Sequence, residues 1–245
     1  MKFGKLTSSL IRRFSDTIAL KTNLYLSHKP DFHTKLKKID DFENLYRLWV
    51  QNSPRNDKGD LVRLYFLLSQ IEYIKKNNIP GFIAELGVYK GTTARLFHET
   101  LPNREILLFD TFEGFDRRDI DHEKENSNAE EAGWEVSITQ VKKYIGTSEL
   151  IHIFQGYFPD TTKDVDPNNR YALVHLDADL YQPQKSGLEY FYPRMSLGGI
   201  IIIHDYNNEY HGSKKAVDEF FFDKTEQPIT IPDKSGSAVI IKLKK

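Results

Sequence analysis

Two stretches in the first third of the chain carry apolar residues at helical spacing. They run from Phe42 to Ser53 and from Asp60 to Asn78, and apolar positions that recur every three or four residues predict amphipathic helices. Asp60 is placed to cap the second helix, and the lysines near its end suit the negative end of a helix dipole. We therefore predict a helical N-terminal extension over residues 1–80, which covers one face of a main sheet, forms a substrate lid or contacts another subunit.

The first twenty residues mix lysine and arginine with leucine, isoleucine and phenylalanine. This pattern has two interpretations. One is a basic amphipathic helix that lies on a membrane, and the other is a mobile or partner-packed terminus.

After residue 82 the pattern changes, because short apolar runs alternate with helical segments. The runs are 82–88, 105–110, 150–156, 171–177 and 198–205, followed by the closing pair "PITIP" and "SAVIIKLKK". Such alternation predicts βαβ units, and strands this apolar suit a mostly parallel sheet with helices on both faces. We predict an α/β, doubly wound domain over residues 81–245, with the polar segment 116–133 as a long loop.

Composition narrows the class of protein. The chain has 245 residues, of which 39% are hydrophobic and 28% charged, so it can bury a core in one large domain. A net charge of -1 gives no case for nucleic-acid binding, and the absence of cysteine excludes disulfides and thiol nucleophiles. With no signal-peptide pattern and no apolar stretch long enough to span a bilayer, we expect a cytoplasmic protein without stable membrane insertion.

The ends of the predicted strands share a chemical character. Each carries an acid or a glycine, in the stretches "AELGVYKGTT", "FDTFEG", "FQGYFPDT", "HLDADLY" and "HDYNN". Ligands of open α/β sheets bind at the carboxyl ends of the strands. Five such ends on one rim therefore predict a binding site there.

The first of these ends is a glycine turn that leads into a helix. Gly87 and Gly91 allow close approach to a ligand, and the helix beyond offers free N–H groups, with Thr92 and Thr93 as hydroxyl donors or caps. The spacing is not the G-x-G-x-x-G of dinucleotide sites. Glu85 would repel a pyrophosphate but suit an ammonium group, which favours S-adenosylmethionine over NAD. The alternative is a tight turn in which Glu85 pairs with a lysine.

Asp110 closes the second strand. An acid at this point of a nucleotide-binding sheet is suited to the two hydroxyls of an adenosine ribose. The alternative for Asp110 is a cap of a helix or turn.

Two neighbouring strand ends carry the most specific pattern. Asp177 and Asp179 follow the fourth strand, and His204 and Asp205 close the fifth. Asp177, His204 and Asp205 are therefore expected to converge on one divalent cation. Carboxylates suit Mg²⁺, whereas a histidine ligand shifts the choice towards Mn²⁺, Fe²⁺ or Zn²⁺. The alternative is that Asp205 caps a turn and His204 is a hydrogen-bonded histidine of the rim.

Five stretches in this order resemble the macrocin O-methyltransferase family, whose members are class I, S-adenosylmethionine-dependent sugar O-methyltransferases. The stretches lie between residues 80 and 225 and are "FIAELGVYKGTTARL", "LLFDTFEGF", "FQGYFPDT", "LVHLDADLYQPQKSGLEYFYPRMSLGGIIIIHDY" and "SKKAVDEFF". The resemblance implies a Rossmann-like sheet of seven strands with an antiparallel last strand. It does not extend by motif to the first 75 residues.

The resemblance also implies site residues. A Mg²⁺ (or Mn²⁺) site is implied from Asp177 and the pair that ends strand five, where the family has two acids and this chain has His204 and Asp205. The implied cofactor contacts are Glu85, Gly87, Val88, Tyr89, Thr92, Thr93, Asp110, Thr111, Phe112, Gly156, Tyr157 and Asp177.

The function that follows is methyl transfer to a hydroxyl of a sugar or of a glycosylated molecule or glycan. The protein must align the oxygen with the activated methyl group and help to remove its proton. The candidate catalytic residues are Asp177, Asp179, His204 and, in the polar loop, His122. The rivals are an NAD-dependent oxidoreductase or epimerase and a non-catalytic Rossmann-like binding protein. A homo-oligomer is expected from the resemblance.

Overall fold

The structure is a computed structural model that describes residues 42–51, 60–123, 135–207 and 211–244. Two compact units divide the chain, Met1–Phe42 and Glu43–Lys245, and every described residue except Phe42 belongs to the second. The predicted basic helix of the first twenty residues lies outside the described residues. The predicted boundary at residue 80 stays a prediction.

The described part contains seven α-helices and one seven-stranded sheet. The helices are α1 (Phe42–Gln51), α2 (Leu61–Lys76), α3 (Thr92–Thr100), α4 (Arg117–Glu123), α5 (Ile138–Ile145), α6 (Tyr181–Phe191) and α7 (His211–Phe221). The strands are β1 (Phe82–Leu86), β2 (Ile106–Asp110), β3 (Ile151–Gln155), β4 (Tyr171–Leu176), β5 (Met195–Ile203), β6 (Ile229–Thr230) and β7 (Ala238–Ile241). Both N-terminal helices and all the predicted strands are present, with ends shifted by a few residues.

The sheet has the order β3-β2-β1-β4-β5-β7-β6. Strands β1 to β5 pair in parallel, and β7 runs antiparallel to both of its neighbours. This confirms the predicted Rossmann-like sheet with an antiparallel last strand. The chain order reverses between β1 and β4, so the switch point at which such sheets bind ligands lies at the ends of these two strands.

Alternation along the strands separates two faces of the sheet. Ala84 and Val174 belong to a hydrophobic core with Leu188 of α6 and Val217 of α7. The residues that alternate with Ala84 along β1 and with Val174 along β4 point to the opposite face of the sheet, where α2 and α3 lie. There the ring of His175 meets that of Phe97 from α3 at a centroid distance of 6.3 Å.

The beginning of α2 confirms the predicted cap. The Asp60 Oδ1 atom accepts a hydrogen bond of 3.0 Å from the Arg63 amide, and its Oδ2 atom accepts one of 3.0 Å from the amide of Lys234, in the β6–β7 hairpin. Asp60 is buried. One side chain therefore caps α2 and fastens the start of this helix to the last hairpin of the sheet.

The segment 116–133, predicted as a long loop, begins instead with a helix. Helix α4 forms because Asp116 accepts a hydrogen bond of 2.9 Å from the Arg118 amide and Ile120 is buried. Glu123, at its end, is also buried and accepts a hydrogen bond from the Tyr181 amide at the start of α6. Residues 124–134 lie outside the described part. Within the described residues, no helix combines the length and the apolar character needed to cross a membrane.

Gly87 joins β1 to the switch point through a close backbone approach. It has a φ of +86°, and a Cβ atom at this position would lie 1.9 Å from the carbonyl oxygen of Asp177. The Asp177 amide in turn donates to the Leu86 carbonyl at 2.8 Å. Glycine is therefore required here both for its conformation and for the contact between the ends of β1 and β4.

We expect Gly87→Ala to lower the free energy of unfolding by about 3 kcal/mol or more, since it adds a backbone overlap to an unfavourable φ. Gly187→Ala is the control, because its Cβ would meet the Leu86 Cδ2 atom at 2.9 Å, and this flexible side chain can shift. Helix propensity favours alanine at position 187, so its net change should stay within about 1 kcal/mol. Urea denaturation measures both variants, and equal losses would contradict the close approach.

Candidate functional site

Asp110, at the end of β2, binds the turn that follows β1. Its Oδ2 atom accepts hydrogen bonds from the amides of Val88 at 2.6 Å and Tyr89 at 2.8 Å, and its Oδ1 atom accepts one from Phe112 at 2.6 Å. Tyr89 and Phe112 have left-handed backbones, with φ of 49° and 57°. Burial raises the pKa of Asp110, and the three amide bonds oppose this shift. Asp110 thus caps the turn, which was the alternative role that the sequence left open.

Glu85 and His175 form a buried pair beneath the ends of β1 and β4. Their strands place them side by side, and the Glu85 Oε1 atom lies 2.9 Å from the His175 Nδ1 atom. Burial and the charge of Asp177 raise the pKa of Glu85, while burial lowers the pKa of His175 to about 3. The partner of Glu85 is therefore a histidine, and not the lysine that the sequence offered as an alternative. Its Oε2 atom is buried without a hydrogen-bond partner among the described residues.

The ends of β4 and β5 bring three predicted residues together. The Nδ1 atom of His204 lies 2.6 Å from the Oδ1 atom of Asp177 and 2.7 Å from the Oδ2 atom of Asp205. One ligand atom from each residue lies within 4.8 Å of the others. The predicted convergence of Asp177, His204 and Asp205 is therefore present in the structure.

The charges of this cluster shift the pKa values of its members. Burial lowers the pKa of His204, but the carboxylates of Asp177 and Asp205 outweigh it and raise this pKa to about 10. Burial raises the pKa of Asp177, yet the charge and hydrogen bond of His204 hold it below its ordinary value. A protonated imidazole thus bridges two carboxylates. Its Nε2 atom is buried without a partner among the described residues.

Asp179 joins the cluster from the loop between β4 and α6. Its backbone is left-handed, with φ of 55°, so the strand has already ended and its side chain does not continue the alternation of β4. Burial raises the pKa of Asp179, and the charges of Asp205 and Asp177 and a hydrogen bond to Asp205 raise it further. These neighbours therefore favour the protonated form of Asp179 beside Asp205.

Arg63, on α2, is a site residue that the sequence reasoning missed. Its Nη2 atom lies 3.8 Å from the Oδ2 atom of Asp177, and its guanidinium lies 5.3 Å from the ring centroid of Trp49 on α1. Only 4% of Arg63 is exposed to solvent. The signal available in the sequence was an arginine placed four residues before Leu67 on the apolar side of α2. His175 was missed as well, although it lies in β4, only two residues before Asp177.

The remaining predicted cofactor residues lie around the glycine turn and the end of β3. Thr93 is buried, and Gly91, not a threonine side chain, forms the N-cap of α3. The hydroxyl of Thr111 donates to the Gly114 carbonyl at 2.6 Å within its own turn. His122 lies in α4, but its side chain is outside the described ones.

Beyond β3 the chain turns towards α4. The Gly156 amide donates to the Asp110 carbonyl at 3.0 Å, which places this turn beside the end of β2. The Tyr157 hydroxyl donates to the buried Asp119 at 2.9 Å, and the Arg118 guanidinium covers the Tyr157 ring at 3.5 Å. These contacts give Tyr157 a fixed position on the rim next to Asp110.

The donor atoms of the site suit two kinds of ligand. At the end of β1, the partnerless Oε2 atom of Glu85 is an acceptor for a cationic group, and Asp110 uses three of the roughly four lone-pair sites of a carboxylate, so one remains. At the ends of β4 and β5, two carboxylates and an imidazole form a donor set of the kind that divalent cations bind.

Known proteins similar to this chain are O-methyltransferases. Demethyldecarbamoylnovobiocin O-methyltransferase from Streptomyces niveus is 28% identical over 232 residues, which cover 86% of this chain and 84% of that protein. A tetracenomycin 4'-O-methyltransferase from Streptomyces olivaceus, which by name acts on an 8-demethyl-8-(2,3-dimethoxy-alpha-L-rhamnosyl) compound, is 29% identical over 159 residues, or 60% of either chain.

The solved structure of the O-methyltransferase NovP has the same fold, with a TM-score of 0.67 at 22% identity over 82% of this chain and 98% of that one. The family model of the macrocin O-methyltransferases, described as "Macrocin-O-methyltransferase (TylF)", matches residues 9–238. This match includes much of the N-terminal region that the motifs left uncovered. The chain therefore belongs to the macrocin O-methyltransferase family and is an O-methyltransferase.

Proposed function

We propose that this enzyme uses S-adenosylmethionine to methylate a hydroxyl of a sugar or glycosylated molecule, with help from a divalent metal. The observation that carries the proposal is the cluster of Asp177, His204 and Asp205 at the ends of β4 and β5, beside the switch point at which the sheet would bind the cofactor. Family membership favours this function over an NAD-dependent oxidoreductase or epimerase and over a non-catalytic binding protein.

The cofactor would lie across the ends of β1 and β2. Its amino-acid part would lie beside the glycine turn, where Glu85 would offer a carboxyl group to the ammonium. An ammonium at this position would favour the ionised form of Glu85, against the burial that now raises its pKa. Asp110 would accept a ribose hydroxyl with its remaining lone pair, next to Tyr157. S-adenosylmethionine supplies the activated methyl group.

The metal would be held by Asp177, His204 and Asp205. Asp177 also stays a proposed cofactor contact, because its backbone packs against Gly87. When bound, a divalent cation orients neighbouring hydroxyls and lowers the pKa of the attacking one. His204 stands where the family has an acid, and an imidazole ligand favours Mn²⁺ over Mg²⁺ relative to three carboxylates.

The proton of the substrate hydroxyl needs an acceptor near the same cluster. Asp177, Asp179 and His204 are the proposed candidates, since all three lie at the ends of β4 and β5. The raised pKa of Asp179, due to burial and to the charges of Asp205 and Asp177, favours its protonated form, which cannot accept a further proton. His122 stays a prediction.

The substrate class is proposed from the family resemblance and from the Streptomyces olivaceus relative, whose name describes a rhamnosyl compound. A sugar with two neighbouring hydroxyls would present both to one metal. A cytoplasmic location and a homo-oligomer stay predictions from the sequence.

Asp110→Asn should reduce the affinity for S-adenosylmethionine and S-adenosylhomocysteine at least about 10-fold, because it removes a charged acceptor from both the turn and the ribose. Calorimetric titration measures the affinity. The matched control is Asp166→Asn, in which an exposed aspartate that also accepts an amide bond, from Asn168 at 2.9 Å, is changed far from the strand ends. Unaltered binding by the Asp110 variant would contradict its role, and no binding by the unmodified enzyme would contradict the cofactor.

Asp177→Asn should remove a charged ligand and weaken Mn²⁺ binding by at least about 10-fold, while the affinity for S-adenosylhomocysteine changes less than about 3-fold. The electron paramagnetic resonance signal of free Mn²⁺ reports the first quantity, and calorimetry the second. Asp166→Asn again serves as the control. If cofactor binding collapses while Mn²⁺ binding persists, Asp177 belongs to the cofactor site.

His204→Asp should shift metal preference towards Mg²⁺, since three carboxylates form a harder donor set than two carboxylates and an imidazole. We expect the ratio of Mg²⁺ affinity to Mn²⁺ affinity to rise about 10-fold or more by calorimetry. His98→Asp, at a histidine in the last turn of α3, is the control. An unchanged ratio would show that His204 is not a metal ligand.

A further inference from the structure

The cofactor of the proposed function poses an electrostatic problem at the switch point. Its amino-acid part carries an ammonium and a carboxylate, and its sulfonium adds a second positive charge. Glu85 and Asp177, at the ends of β1 and β4, suit the two cationic groups. The same acids repel the carboxylate, which therefore needs a cation close to both strand ends.

Arg63 lies where such a cation is needed. Its Nη2 atom is 3.8 Å from the Oδ2 atom of Asp177, and its charge acts on Glu85 as well. A guanidinium between the ends of β1 and β4 stands at the reversal of the strand order, next to the glycine turn. Its side chain is only 5% exposed, so an anion bound there would be shielded from solvent.

Two contacts fix the position of this guanidinium. It lies over the ring of Trp49, a side chain that is only 1% exposed, and its helix begins at Asp60, which is fastened to the β6–β7 hairpin. Burial of an arginine is costly unless a counter-charge accompanies it. Asp177, at 3.8 Å, is one such counter-charge, and a cofactor carboxylate at hydrogen-bond distance would be another.

We infer that Arg63 binds the carboxylate of the methionine part of S-adenosylmethionine. This inference rests on the proposed function and extends it to α2, a helix outside the predicted methyltransferase domain. Glu85 and Arg63 would then hold the two ends of one amino-acid group, and the Oδ1 atom of Asp177 would remain with His204. Arginine suits this role because its planar fork of donors matches the geometry of a carboxylate.

Decarboxylated S-adenosylmethionine, which keeps the sulfonium and the ammonium, tests the inference. Calorimetry with the unmodified enzyme should show S-adenosylmethionine binding about 10- to 100-fold more tightly than the decarboxylated compound, as expected for a charge-assisted pair. In Arg63→Met this preference should fall below about 3-fold. Loss of the positive charge also changes the repulsion of the sulfonium, but this effect is common to both ligands and cancels in the ratio.

The control is Arg194→Met. Arg194 also stacks on an aromatic ring, that of Tyr190 at 4.2 Å. It directly precedes β5, however, and so lies where this strand begins and not where the strands end. Its variant should keep the full preference for S-adenosylmethionine. Arg63→Lys, which keeps the charge but not the fork, should show an intermediate preference and serves where Arg63→Met does not fold.

The outcomes separate the inference from the function on which it rests. If the unmodified enzyme binds S-adenosylmethionine but does not prefer it to the decarboxylated compound, the role of Arg63 is wrong and the cofactor stands. The role is wrong as well if the preference survives in both Arg63→Met and Arg63→Lys. If the unmodified enzyme binds neither compound, the proposed cofactor fails and the inference fails with it.

Discussion

The imidazole of His204 connects the ends of β4 and β5, because its Nδ1 atom lies 2.6 Å from the Asp177 carboxylate and 2.7 Å from that of Asp205. Three aspartates lie within this small region of the sheet edge, and their negative charges repel one another. The imidazolium, between Asp177 and Asp205, supplies one compensating charge. Burial and the charge of Asp205 raise the pKa of Asp179, which reduces the negative charge that this carboxyl group adds, and Arg63 contributes a positive charge. These groups therefore balance part of the negative charge of the cluster.

The resemblance to the family implies an acid at position 204, where this chain has a histidine. The charges around His204 give this difference a physical role. An acid at position 204 would add a fourth carboxylate and would depend on a bound cation for its neutralisation. A protonated histidine instead supplies a positive charge from within the site. The Nε2 atom of His204, on the other side of the ring, is buried without a hydrogen-bond partner among the described residues.

Much of the fold followed from hydrophobic patterning, because strands buried on both sides and helices with one apolar face leave strong signals. The convergence of Asp177, His204 and Asp205 followed from the rule that parallel strands end at a common edge. Arg63 and His175 were not found, since their roles depend on the placement of α2 over the sheet and on strand register, which no local pattern encodes. Helix α4 was missed because its short sequence is polar apart from Ile120.

The Asp60 carboxylate accepts two hydrogen bonds, one of which connects residues that are 174 positions apart in the chain. One oxygen begins the helix that carries Arg63, and the other binds the turn of the last hairpin. During synthesis the hairpin leaves the ribosome after β1 to β5. A nascent chain can form β1 to β5 and their helices earlier, but it cannot complete the anchor of α2 until β6 and β7 emerge. The anchor of the helix that carries the buried guanidinium is therefore completed only after the parallel part of the sheet.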